Sequence, residues 1–126
     1  MILFSKPFKA LPQHSARSQG SGGLDVLATP SLVAFMENVA YDFLEKQLDA
    51  GQTSVGVSLD LEHLAPTKIG RTIKVNLLEH SQEGRKNHFS LEAFDGDKRI
   101  GKALHTRVCV DHQRFLEQLI LNKNQK

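Results

Sequence analysis

The run TPSLVAFMENVAYDFLEKQLDAGQTSVGVSLDLEH, residues 29–63, changes its hydrophobic period partway along, and that change decides the fold. In the first half Leu32, Val33, Phe35, Met36, Val39, Ala40, Phe43 and Leu44 recur at three- and four-residue spacings, which gathers them on one broad helical face. Thr29-Pro30 marks the start: threonine suits the N-cap, and proline suits the first helical position, whose amide has no partner within the helix. Gly51 marks the expected stop. Beyond it Val55, Val57, Leu59 and Leu61 alternate with Gly56, Ser58, Asp60 and Glu62, the period-two pattern of a strand with one face buried.

Further along, Ile73, Val75 and Leu77 repeat the alternation after the turn at 69–71, and Phe89, Leu91 and Ala93 repeat it after Glu83-Gly84. Asp95-Gly96-Asp97 reads as a hairpin turn into a last long strand over 99–110, and Phe115, Leu116, Leu119 and Ile120 predict a short amphipathic tail helix. Upstream, residues 2–11 could form a short edge strand, restricted by Pro7 and Pro12, which donate no ladder hydrogen bond. Residues 15–23, SARSQGSGG, read as a loop free to move. No helix stands between the four later strands to serve parallel crossovers, so the sheet is expected to be antiparallel and the class α+β. One sheet wrapped around one long central helix is the simplest way to bury that helix's face.

The whole chain, residues 1–126, is of a size for a single domain. With 40% hydrophobic and 24% charged residues it matches ordinary globular domains, and its net charge of +2 is scattered, which gives no electrostatic case for nucleic acid. No apolar run approaches membrane-spanning length and none near the start resembles a signal peptide, so the default expectation is a cytoplasmic protein without a membrane partner. The lone Cys109, within a strand, excludes an internal disulfide and reads as a packing residue. Six histidines show neither HxxxH nor HExxH spacing, and neither a Gly-rich phosphate loop nor GxSxG is present, so no metal and no cofactor are expected.

Chemistry could reside at a few positions, each with a plain structural reading beside the functional one. Glu37 falls at the edge of the helix's apolar arc, either an ordinary boundary glutamate or a partly desolvated carboxylate suited to a base or nucleophile. His63 continues the odd-numbered series of its strand toward the helix, so it is either a satisfied strand-end histidine or a proton-transfer group. Thr29 is explained by capping, yet a helix start also offers free amides to a developing oxyanion. Thr29 and Glu37 stand about 12 Å apart along the axis at ~1.5 Å per residue. They cannot touch within one chain, so a site joining them would be shared across a dimer. On the last strand Gly101, Ala103, His105, Arg107 and Cys109 share a face, where His105 and Arg107 could either hold anionic oxygens of a substrate on a shallow surface or simply be solvated.

Taken together, VLATPSLVAFMENVA, TSVGVSLDLEHLAPT, IGKALHTRVCVD and RF resemble the fluoroacetyl-CoA thioesterase-like branch of the hotdog-fold superfamily, over roughly residues 24–115. The resemblance implies a hotdog fold and a homodimer that hydrolyses a small acyl-CoA thioester to free acid and CoA, and whether such dimers pair further into a tetramer is left open by the sequence. It also implies that Thr29, Glu37 and His63 are catalytic: Glu37 attacks the carbonyl or activates water, His63 assists proton transfer, and Thr29 orients the carboxylate or the substrate. Gly56 matches a family glycine beside the thioester, and Arg107 the arginine of a His-x-Arg strand motif that begins here at His105. Two departures stand out: Thr106 replaces the acidic residue usual between that pair, and SARSQGSGG replaces a phenylalanine-bearing lid. Two other functions fit a hotdog fold, a non-catalytic module binding CoA esters or another small ligand and a dehydratase or hydratase that leaves the thioester intact.

Overall fold

The computed structural model of the protein describes residues 1–124. Strand β1 (Phe4–Lys9) is followed by a 3-10 turn (Pro12–His14), the one-turn helix α1 (Ala16–Gln19) and the long helix α2 (Thr29–Glu45). Strands β2 (Gln52–His63), β3 (Thr72–Glu83), β4 (Lys86–Asp95) and β5 (Lys98–Asp111) come next, and helix α3 (His112–Asn124) closes the described chain. The sheet runs β1-β3-β4-β5-β2 with every neighbouring pair antiparallel. No described helix is long and apolar enough to cross a membrane.

Helix α2 lies against one face of this sheet because its apolar arc has nowhere else to go. Leu32, Met36 and Val39 are fully buried, and they meet Ile73, Val75, Leu77 and Leu91 from the sheet. At about 1.5–3 kcal/mol for each large apolar side chain, this seam is the main attachment of the helix. β1 pairs with β3 alone, so Pro7, opposite Lys74, stands on an outer strand where a missing amide donor is tolerated. The tail helix forms, and Leu116, Leu119 and Ile120 remain exposed on it.

Three local expectations are corrected. The N-cap of α2 is Ala28, whose carbonyl accepts from Ser31 and Leu32, and Thr29 is the first helical residue. The helix ends at Glu45, and Gly51, at φ 88°, serves instead the turn that leads into β2. The 15–23 stretch is tied down rather than free. Ser15 caps α1 by accepting from the Ser18 amide at 3.1 Å, Gly20 closes it at φ 76°, and Ala16 donates to Val26 O at 2.9 Å. The Gln19 amide group also donates to the buried Ser31 hydroxyl of α2.

The correction that matters most to function lies in β2. Its register against β5 slips between Gly56 and Ser58, which leaves Val57 as an extra, 56% exposed residue. Leu59, Leu61 and His63 pair with His105, Ala103 and Gly101 and face the helix, as the alternation predicts. Upstream of the bulge the faces are exchanged: Gly56 pairs with Arg107 on the helix side, and Val55 pairs with Val108 on the outer side. A single unpaired residue reverses the side-chain faces because the strand's period is two.

Candidate active site

At the start of α2, Thr29 Oγ1 lies 2.8 Å from Nδ1 of His63, the last residue of β2. The hydroxyl is available for this bond because Ala28, not Thr29, occupies the cap position of α2. The other ring nitrogen, Nε2, is buried without a partner. Burial also lowers the His63 pKa below its ordinary 6.5, which favours the neutral ring. A neutral imidazole oriented by a hydroxyl can accept or relay a proton near neutral pH. Beside this pair lies an open cleft of about 350 Å³, walled by Ala16 and Ser21 on one side and by Leu64, Ala65 and Pro66 on the other.

Two turns further along α2, Glu37 faces a second group of residues. Its Oε2 lies 3.8 Å from Arg107 Nη1, and its side chain keeps 41% exposure against 8% for Arg107. Arg107 is fixed from below: Nε donates to Ser54 Oγ at 2.8 Å and Nη2 to Ser54 O at 3.1 Å. His105 Nδ1 donates to Ser58 O at 2.7 Å, so its Nε2 carries the lone pair that accepts from Arg107 Nη1 at 3.2 Å. Burial is the main cause lowering the His105 pKa, which keeps that ring neutral and the tautomer consistent. Burial also pushes the Arg107 guanidinium down from its ordinary value, against the pull of Glu37.

Gly56 closes this group. A Cβ on it would stand 2.6 Å from Glu37 Oε2, 3.2 Å from His105 Cε1 and 3.3 Å from Arg107 Nη1, so the backbone approaches where no side chain fits. His105 and Arg107 are only 2% and 6% exposed, which corrects the expected shallow anion-binding surface. Their polar atoms are engaged with β2 and with each other under Glu37. Thr106, between them, faces outward and bonds His88 Nδ1 at 3.1 Å.

The chain thus brings Thr29 to His63, and Glu37 to Gly56, His105 and Arg107, in two groups at different heights on one helix. Ser54, which anchors Arg107, escapes a sequence reading that assumes unbroken alternation. Gly56 within the strand was the available sign of a bulge. A further hollow, about 340 Å³ and bordered by Asp60, Glu62 and Leu104, contains none of these residues.

Residues 11–113 match the family described as Fluoroacetyl-CoA-specific thioesterase. The chain belongs to that family. It is 31% identical over 91 residues to the fluoroacetyl-CoA thioesterase of Streptantibioticus cattleyicolor, an alignment spanning 72% of this chain and 66% of that protein, just under two thirds. The solved structure of the fluoroacetyl-CoA thioesterase FlK superposes with a TM-score of 0.87 at 26% identity, covering 94% of this chain and 92% of FlK. A thioesterase-superfamily member from Thermus thermophilus has the same fold, with a TM-score of 0.88 at 19% identity over 97% of this chain and 90% of its own. Family membership and these superpositions establish the hotdog fold, an antiparallel sheet around a central helix, for this fluoroacetyl-CoA-specific thioesterase family member.

Proposed function

We propose that this chain hydrolyses small acyl-CoA thioesters as a cytoplasmic homodimer, at a site where Thr29 and His63 of one subunit meet the partner's Glu37. The observation that carries the reading is the 2.8 Å Thr29–His63 bond in a member of a thioesterase family, on the same helix as a carboxylate beyond its reach. Glu37 acts on the thioester carbonyl, by attack or through a water whose proton it takes. The resulting tetrahedral oxyanion collapses with cleavage of the C–S bond, and the CoA thiolate leaves and is protonated; the water route yields the free acid directly, whereas direct attack leaves an acyl–Glu37 anhydride that a water then hydrolyses to the acid and the free carboxylate. Thr29 holds the His63 ring, and the neutral ring passes the proton.

Two features support a second copy. β2 is a 12-residue strand paired on one side only, and a long open edge is ordinarily covered. On α2, Ala34 and Tyr41 flank Glu37 and are exposed, a surface free to face another helix. The test is complementation: Thr29→Ala/His63→Ala protein mixed with Glu37→Ala protein, after unfolding and reassembly, and followed by thiol release. A shared site regenerates one intact site per mixed dimer, about a quarter of wild-type activity in a statistical mixture. No recovery refutes sharing. Unchanged turnover in both parent variants refutes the mechanism, and tight acyl-CoA binding without thiol release would favour a binding module.

A further inference from the structure

The cleft beside Thr29 and His63 has a composition that speaks to the substrate. Apart from His63 itself, no acid or base lines it among the described residues, and no Phe, Tyr or Trp narrows it. Its walls are small or aliphatic: Ala16 and Ser21 from the α1 segment, Leu64, Ala65 and Pro66 from the end of β2. These walls are preset. α1 is bonded to α2 through Gln19 and Ser31, to Val26 through the Ala16 amide, and across its own loop by Arg17 and Asp25 at 3.5 Å. The other group on α2 has the opposite character, with the carboxylate of Glu37 and the guanidinium of Arg107 facing each other. An apolar chain is therefore accommodated against the small and aliphatic walls of this cleft, while the partner's Glu37 of the shared site meets the thioester carbonyl beside Thr29 and His63.

We propose that this cleft holds the acyl chain, and that the substrate carries an uncharged aliphatic acyl group of several carbons rather than a two-carbon one. The inference rests on the thioesterase reading above and adds the specificity-determining surface to it. A volume of about 350 Å³ lies at the lower end of ligand pockets and far exceeds what one methyl group fills. Each added methylene buried there raises kcat/KM by roughly fourfold, the ~0.8 kcal/mol of a buried methylene converted through RT, until the cleft is full.

The test measures kcat/KM for straight-chain acyl-CoAs from acetyl to octanoyl, on the full chain and on Ser21→Phe and Ala65→Leu, which narrow opposite walls. Ser21 is exposed, so its substitution spares the core. The expected result is a hexanoyl preference over acetyl of at least tenfold (just under two methylenes' worth, of the four added, at roughly fourfold each), and a hexanoyl-to-acetyl ratio that falls in both variants. Hydrolysis that peaks at acetyl, or a ratio indifferent to both substitutions, overturns the assignment while leaving the thioesterase reading intact. Absence of thiol release from every member of the panel overturns both.

Discussion

Replacing Gly56 with alanine puts one methyl group where Glu37, His105 and Arg107 converge. Its carbon would stand 2.6 Å from Glu37 Oε2, about 0.8 Å short of ordinary contact at 3.4 Å. The contacts to His105 and Arg107, at 3.2 and 3.3 Å, are also tight. Those two side chains are fixed by Ser58 and Ser54, whereas Glu37 is 41% exposed at its side chain. The carboxylate is therefore the group that yields, by turning outward and away from Arg107. Overpacking a rigid core costs about 1–3 kcal/mol, and a flexible neighbour brings Gly56→Ala to the lower end, ~1 kcal/mol. Misplacing a reacting group by about 1 Å can cost 10²-fold in rate, so kcat is expected to fall by roughly that factor. Thiol release from a turned-over acyl-CoA gives the rate, and thermal unfolding gives the stability. A kcat within threefold of wild type refutes the reasoning, and so does a protein that no longer folds, since the argument requires Glu37 to move and the sheet to stay.

Thr29→Ala removes the hydroxyl that holds His63 but no cap, so activity should drop by 10- to 100-fold with under about 1 kcal/mol of stability lost; Thr29→Ser should recover most of the activity, and its failure to do so counts against the hydroxyl's role. Ser54→Ala unties the Arg107 Nε from a buried hydroxyl, a bond to a charged group worth about 1.5–3 kcal/mol, and a Tm unchanged within a degree would contradict that. Because burial lowers the His63 pKa, the unfolded chain binds more protons between that lowered value and 6.5. Stability contributed by neutral His63 is thus present above about 6.5 and lost as pH falls through the lowered value, with His105 acting in the same direction. The decline in Tm from pH 7 to 5 should be shallower in His63→Gln, and equal slopes would refute it.

Much of the architecture is legible without coordinates. The period change at Gly51 separates one wide-faced helix from alternating strands, and glycine turns too short for crossovers make the sheet antiparallel. Periodicity is a local property of the chain, and these elements follow it. The Thr29–Glu37 separation is equally local, since a helix fixes distance along its own axis. The 15–23 segment shows where this stops. Its composition reads as loose chain, yet bonds to Val26 and Ser31, made only in the folded molecule, hold it as a wall of the cleft.

The site divides in the same way. Residues 29–63, read in order, already supply a helix start, a mid-helix carboxylate and a strand-end histidine to one α+β fold. It takes strand pairing and helix packing to bring the Thr29 hydroxyl to His63 instead of its helix cap, and to assemble Ser54, Gly56, His105 and Arg107 as the floor beneath Glu37. The physical reason is the bulge at Val57. Strand pairing between β2 and β5 sets which residue is left unpaired, and that one residue turns Ser54 and Gly56 from the outer face to the helix.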